Sequence, residues 1–91
     1  MVRIEVRLFA NLREKAGTEV IFLEFTKPPT IADVLAEVVM RAPGLRRFLL
    51  SKGRFNDRYK ILVGTEIIFP ENFSKVLKES RLAILPPVSG G

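Results

Sequence analysis

Apolar and charged residues alternate from the start of the chain. Val2, Ile4, Val6 and Leu8 take every second position, with Arg3, Glu5 and Arg7 between them. Successive side chains of a strand point to opposite faces, so this spacing predicts a half-buried strand over residues 2–9. Residues 11–17 break the alternation and read as a turn-rich connection. A second strand is predicted over 20–25, with Ile21, Leu23 and Phe25 on one side. The short connection favours antiparallel pairing with the first strand. Pro28-Pro29 then ends the extended stretch, since proline donates no ladder hydrogen bond.

The pattern next changes period. Thr30 stands as a helix N-cap with Asp33 three residues on, the spacing of a capping box. Ile31, Val34, Leu35, Val38 and Val39 recur at three- and four-residue intervals, one apolar stripe of an amphipathic helix that Pro43-Gly44 stops. Leu45, Phe48 and Leu49 suggest one further helical turn, and the polar residues 51–58 read as a loop. Tyr59, Ile61 and Val63 alternate as a third strand. Gly64-Thr65-Glu66 reads as a tight turn, 67–69 as a short fourth strand, and 70–75 as an irregular return. A last strand over 82–85 is cut off by Pro86-Pro87.

The order is strand, strand, helix, then two or three strands, which makes the chain α+β. One mixed sheet of four to five strands would pack on the single long helix, with its other face open to water. A last strand lying parallel beside the first gives the β-grasp arrangement; an α+β sandwich of different strand order satisfies the same pattern. Residues 1–86 would form the domain and 87–91 an extended tail.

Composition narrows the chemistry. The 91 residues are 47% hydrophobic and 27% charged, the balance of one folded domain. Cysteine and histidine are both absent, which excludes disulfides, thiolate nucleophiles and the commonest general base and metal ligand. No side-chain constellation suggests an enzyme, a metal site or a stably bound cofactor. The N-terminus lacks the apolar core of a signal peptide and no stretch is long enough for a membrane span, so the expectation is a cytoplasmic protein without a membrane partner. The net charge is +5. Arg41, Arg46, Arg47, Lys52, Arg54, Arg58 and Lys60 lie close in sequence against Asp57 alone. The plain reading is a solvated face; a docking surface for an acidic partner is the sharper one. Nucleic acid ranks third, because Phe48, Phe55 and Tyr59 are the only nearby stacking candidates and no recognition motif is present.

The candidate chemistry lies in the backbone. Pro86-Pro87 holds the start of the segment Pro86-Pro87-Val88-Ser89-Gly90-Gly91 extended, and the closing glycines have no Cβ. Such a segment can enter a channel too narrow for other residues. A carboxylate is a poor acyl donor until it is joined to AMP, and the acyl-adenylate can then accept sulfur to give a thiocarboxylate. The carrier supplies reach and steric access; a partner supplies the ATP chemistry. The plainer reading is a loose tail with two chance glycines.

Three segments resemble the small subunit of molybdopterin synthase, within the ubiquitin-like sulfur carriers. They are Val6-Arg7-Leu8-Phe9-Ala10-Asn11-Leu12-Arg13-Glu14-Lys15-Ala16-Gly17, Thr30-Ile31-Ala32-Asp33-Val34-Leu35, and Leu85-Pro86-Pro87-Val88-Ser89-Gly90-Gly91. The chain differs from the family pattern at Val63-Gly64, at Lys78-Glu79-Ser80-Arg81, at Leu85 where an aromatic is usual, and in a longer 70–78 stretch. The resemblance implies that Gly91, next to Gly90, is adenylated by a ubiquitin-activating-like enzyme that uses ATP, and is then converted to a thiocarboxylate by a sulfur donor system. It further implies insertion of Pro86, Pro87, Val88, Ser89 and the glycines into the synthase large subunit, to donate sulfur to a pterin precursor. Phe9, Ile67 and Leu85 match exposed apolar residues that meet the partners, and Arg13 matches an arginine near the activation interface. The same activated terminus would serve a protein modifier or a carrier for tRNA thiolation. A module that binds nucleic acid or an acidic partner, with an incidental tail, is the reading from another class.

Overall fold

The computed structural model describes residues 1–87. Strands β1 (Val2–Leu8) and β2 (Val20–Phe25) pair antiparallel, from Val2 opposite Phe25 to Arg7 opposite Val20. The last strand, β7 (Arg81–Leu85), lies parallel to β1, with Glu5 opposite Arg81 and Leu8 opposite Ile84. β5 (Lys60–Val63) pairs antiparallel with β7, and β6 (Glu66–Ile68) with β5. The result is a five-stranded mixed sheet of order β2-β1-β7-β5-β6, the β-grasp topology that the pattern allowed.

The alternation sends Ile4, Val6, Leu8, Ile21, Leu23, Ile61, Leu82 and Ile84 to one face, all buried. The long helix α2 (Ile31–Arg41) covers that face with Ile31, Val34, Leu35 and Val38. Burying an aliphatic side chain of this size contributes about 1.5–3 kcal/mol, so this layer dominates the stability. Among the described residues the core contains no polar or charged side chain. No helix there is long and apolar enough to cross a membrane.

The start of α2 is closed in two ways. Thr30 Oγ1 accepts from the Asp33 N–H at 3.0 Å, and the Thr30 N–H donates to Asp33 Oδ2 at 3.0 Å, completing the expected capping box. The irregular return supplies the rest. Ile31 N–H donates to the Lys75 carbonyl at 3.1 Å and Ala32 N–H to the Phe73 carbonyl at 2.9 Å, so segment 73–77 straps the helix N-terminus. These donors have no partner within the helix, and the strap satisfies them.

Two stretches differ from expectation. Residues 11–17 form a helix, α1 (Asn11–Ala16), ended by Gly17 at φ 80° with its N–H on the Arg13 carbonyl. Six residues with one buried apolar side chain, Leu12, display no period to read, so the helix depends on that anchor and on the glycine cap. The polar stretch 51–58 is not a simple loop. A helical turn, α3 (Arg46–Leu49), leads into a small hairpin of β3 (Leu50–Ser51) and β4 (Arg54–Phe55). Lys52 and Gly53 turn it at φ 54° and 78°, the positive angles that match strand twist in a two-residue turn. The first strand also ends one residue early, at Leu8, because the chain reverses at Ala10 with φ 51°.

Two predictions follow from this packing. A Cβ on Gly44 would lie 2.8 Å from the Lys15 carbonyl oxygen, where the turn after α2 crosses the end of α1. Backbone cannot yield as a flexible side chain does, so Gly44→Ala should destabilise by about 1–3 kcal/mol in urea unfolding. Asp33 is held below the ordinary aspartate pKa, first by the Thr30 N–H and then by the Thr30 hydroxyl. A depressed folded value means that the box stabilises fully above the unfolded pKa, about 3.9, and weakens as the pH falls through the folded one. Asp33→Asn should therefore flatten the acid limb of the stability profile below about pH 4, as read by thermal melts across pH.

Candidate functional site

The sheet face opposite α2 is uncovered, and its two halves differ chemically. On β1, Glu5 Oε2 receives Arg7 Nε at 2.6 Å and lies 3.7 Å from Arg81 Nε on β7. Arg3 places its guanidinium 4.5 Å from the centroid of the exposed Phe22 ring on β2. Ion pairs as exposed as these contribute little to stability, but they make this half polar. The other half is apolar. Leu62 on β5 lies opposite Ile67 on β6 and opposite Ala83 on β7. These three residues form a lateral strip across three strands, continued along β7 by Leu85. An open depression of about 510 Å³ on this face is lined by Leu62 and Ala83 together with Arg7 and Arg81.

Phe9 is 42% exposed and Ile67 45% exposed, as surface contact residues must be. Phe9 directly follows Leu8, and Leu85 directly follows its register partner Ile84, so both stand at the same end of the parallel pair. The structure thereby brings Leu85, Ala83, Leu62 and Ile67 together on one side of the sheet, with Phe9 at the same end of the parallel pair as Leu85. Leu85 is half-buried rather than exposed, because its strand is central and β1 and β5 flank it. Arg13 stands outside this strip. It is exposed on α1, with Nη1 3.7 Å from Glu19 Oε2. Pro86 and Pro87 leave β7 outside any strand and half-buried. Val88, Ser89, Gly90 and Gly91 lie outside the described residues.

The pattern of the chain held a signal for the missing members. Ile61, Leu62 and Val63 cannot all face the core of a sheet covered on one side, so Leu62 had to point outward. Ala83 carries no such signal; only its position between β1 and β5 makes it part of the strip. Among the described residues no group of three or more His, Cys, Asp or Glu side chains could hold a metal ion.

A mixed sheet of this order packed on one long helix defines the ubiquitin-like class of β-grasp proteins, and in this chain a diproline segment leaves the central strand. The chain belongs to the ThiS family of small ubiquitin-like sulfur carriers, which it matches over residues 6–91. It is 27% identical over 92 residues to small archaeal modifier protein 3 of Haloferax volcanii, covering 99% of this chain and 100% of that protein. The crystal structure of SAMP1 from Haloferax volcanii superposes with a TM-score of 0.86 at 28% identity, covering 98% of this chain and 99% of the other. The solution structure of small archaeal modifier protein 1 from Methanosarcina acetivorans gives 0.81 at 35% identity, covering 100% and 98% respectively.

Exposed and buried members of the same strands should respond differently to truncation. Phe9→Ala and Ile67→Ala should each shift unfolding free energy by no more than about 1 kcal/mol, whereas Ile84→Ala, fully buried, should cost about 2–5 kcal/mol, measured by urea titration.

Proposed function

We propose that this protein carries sulfur on its C-terminal glycine and delivers it in molybdopterin synthesis. The Gly91 carboxylate attacks the α-phosphorus of ATP in a ubiquitin-activating-like enzyme, and pyrophosphate leaves. A sulfide equivalent from a donor system then attacks the acyl carbon, and AMP departs with the oxygen that joined it to phosphorus. The thiocarboxylate enters the synthase large subunit and passes its sulfur to the pterin precursor. What chiefly supports this reading is that the family match runs through residue 91 and so takes in the Gly90-Gly91 segment. The sheet supports it too. Its apolar strip adjoins Leu85, from which Pro86 and Pro87 lead, so a partner gripping Phe9, Leu85 and Ile67 would have the tail at hand, with Arg13 beyond Phe9 toward the activating enzyme. The protein acts as substrate and carrier, and its partners provide the catalysis.

Relatives named as small archaeal modifier proteins favour a second reading, in which the same activated terminus serves a protein modifier. Adenylation is common to both, so the destination must be tested separately.

Intact-mass analysis tests the shared step. Incubated with a cognate activating enzyme and ATP, the chain should gain an adenylate, and with a sulfur donor it should exchange one oxygen for sulfur. Neither product should form after removal of Gly90-Gly91, and Ile67→Asp should lower kcat/KM for activation by about ten-fold or more. Absence of both products from the intact protein would overturn the proposal. Pull-down under denaturing conditions separates the destinations: covalent ladders mark the modifier, and a native complex with a synthase large subunit marks the pterin carrier.

A further inference from the structure

A second surface lies on the helix side of the sheet, away from the apolar strip. Here α2, α3 and the small hairpin leave a trough of about 390 Å³, lined chiefly by Leu35, Val39, Met40, Leu49, Phe55 and Phe73. The Phe55 and Phe73 rings meet edge to face at 5.1 Å between centroids. Met40, 71% exposed, stands among these lining residues and extends their apolar surface toward solvent. Hydrophobic surface left open in a concave site marks a place for a ligand side chain.

The trough does not end in neutral surface. Arg46 and Leu50 line it and also line an adjoining depression of about 420 Å³, together with Arg47 and Lys52. Arg54 stands next to this region on β4. Among the described residues Arg46, Arg47, Lys52 and Arg54 make no ion pair, and Glu37 on α2 faces Arg41 at 3.7 Å. Three of the seven basic residues at 41–60 thus sit, exposed to solvent, beside an apolar trough: Arg46 lines it, and Arg47 and Lys52 line the adjoining depression.

We propose that this surface docks an acidic segment of a partner protein, anchored by apolar side chains in the trough and held by its carboxylates on Arg46, Arg47 and Lys52. Charge complementarity selects the acidic partner. Nucleic acid fits less well, because none of the three aromatic rings nearest the basic residues is fully exposed for base stacking, and Phe55 is half-buried against Phe73. Tyr59 is buried, and Phe48 is half-buried with the Lys15 and Arg47 cations 5.6 and 5.8 Å from its ring centroid. A second copy bound through the same face would set the three cations against themselves. Docking here leaves the open sheet face free, so one partner can hold the protein while another contacts the sheet. The proposal is independent of the sulfur chemistry.

The test is selection of a random dodecapeptide display library on the full-length protein, followed by titration of the enriched peptide in solution. Enriched peptides should combine aliphatic or aromatic residues with a run of acidic ones. Affinity should fall about ten-fold or more for Met40→Glu and for the pair Arg46→Glu and Lys52→Glu, and should weaken with added salt. All three positions are exposed, so circular dichroism should be unchanged. Ile67→Asp, on the sheet face, should leave the affinity unaltered. Failure to enrich acidic–apolar peptides would overturn the proposal, as would binding that Ile67→Asp weakens and Met40→Glu does not. So would binding of a labelled single-stranded RNA that the Arg46 and Lys52 substitutions abolish while no peptide competes.

Discussion

The parallel pairing of β1 with β7 is the contact on which the rest of the molecule depends. It joins residues more than seventy positions apart, from Glu5 opposite Arg81 to Leu8 opposite Ile84. The pairing places β7 in the middle of the sheet, between β1 and β5, and so fixes the point from which Pro86 leaves. Closing so long a loop costs entropy that local structure does not return. The compensation is the buried layer of Val6, Leu8, Leu82 and Ile84 packed beneath α2, none of them more than 2% exposed. A central strand held from both sides makes that point of departure reproducible.

That arrangement divides the labour between the two faces. The α2 side holds almost all the apolar burial, while the open side keeps a polar half around Glu5 and an apolar half around Leu62 and Ile67. The two halves meet at Arg7 and Ala83, which are register partners. An apolar strip bordered by charge is the usual form of a transient protein interface, with a water-excluding centre and a polar rim. The described domain therefore presents a two-part open sheet face, and its central strand ends at Pro86 and Pro87.

Much of this was legible in the order of residues. The alternation at Val2 to Leu8 and the stripe from Ile31 to Val39 carry their periods openly, and the Thr30 and Asp33 pair announces the helix start. Phe9, next after Leu8, fell on the opposite face by the same alternation, whereas the exposure of Ile67 came only from the resemblance to the family. Short elements were illegible for a physical reason. In α1, Leu12 is a single anchor, and in the hairpin Lys52-Gly53 turns strands of two residues each, so neither contains a full period. Both gain their stability from what they touch rather than from their own pattern.

By itself the sequence determined which residues are strand or helix in the long elements, which face of each is buried, and that a diproline precedes two glycines. These are local properties, set by spacing of a few residues and by the chemistry of single side chains. Only the tertiary structure decided that Leu62, Ala83 and Ile67 share one strip, that segment 73–77 caps α2, and that Met40, Phe55 and Phe73 form a trough beside Arg46. Each of those depends on strands and loops meeting across long stretches of chain, and the pairing energy that brings them together is a property of the whole core.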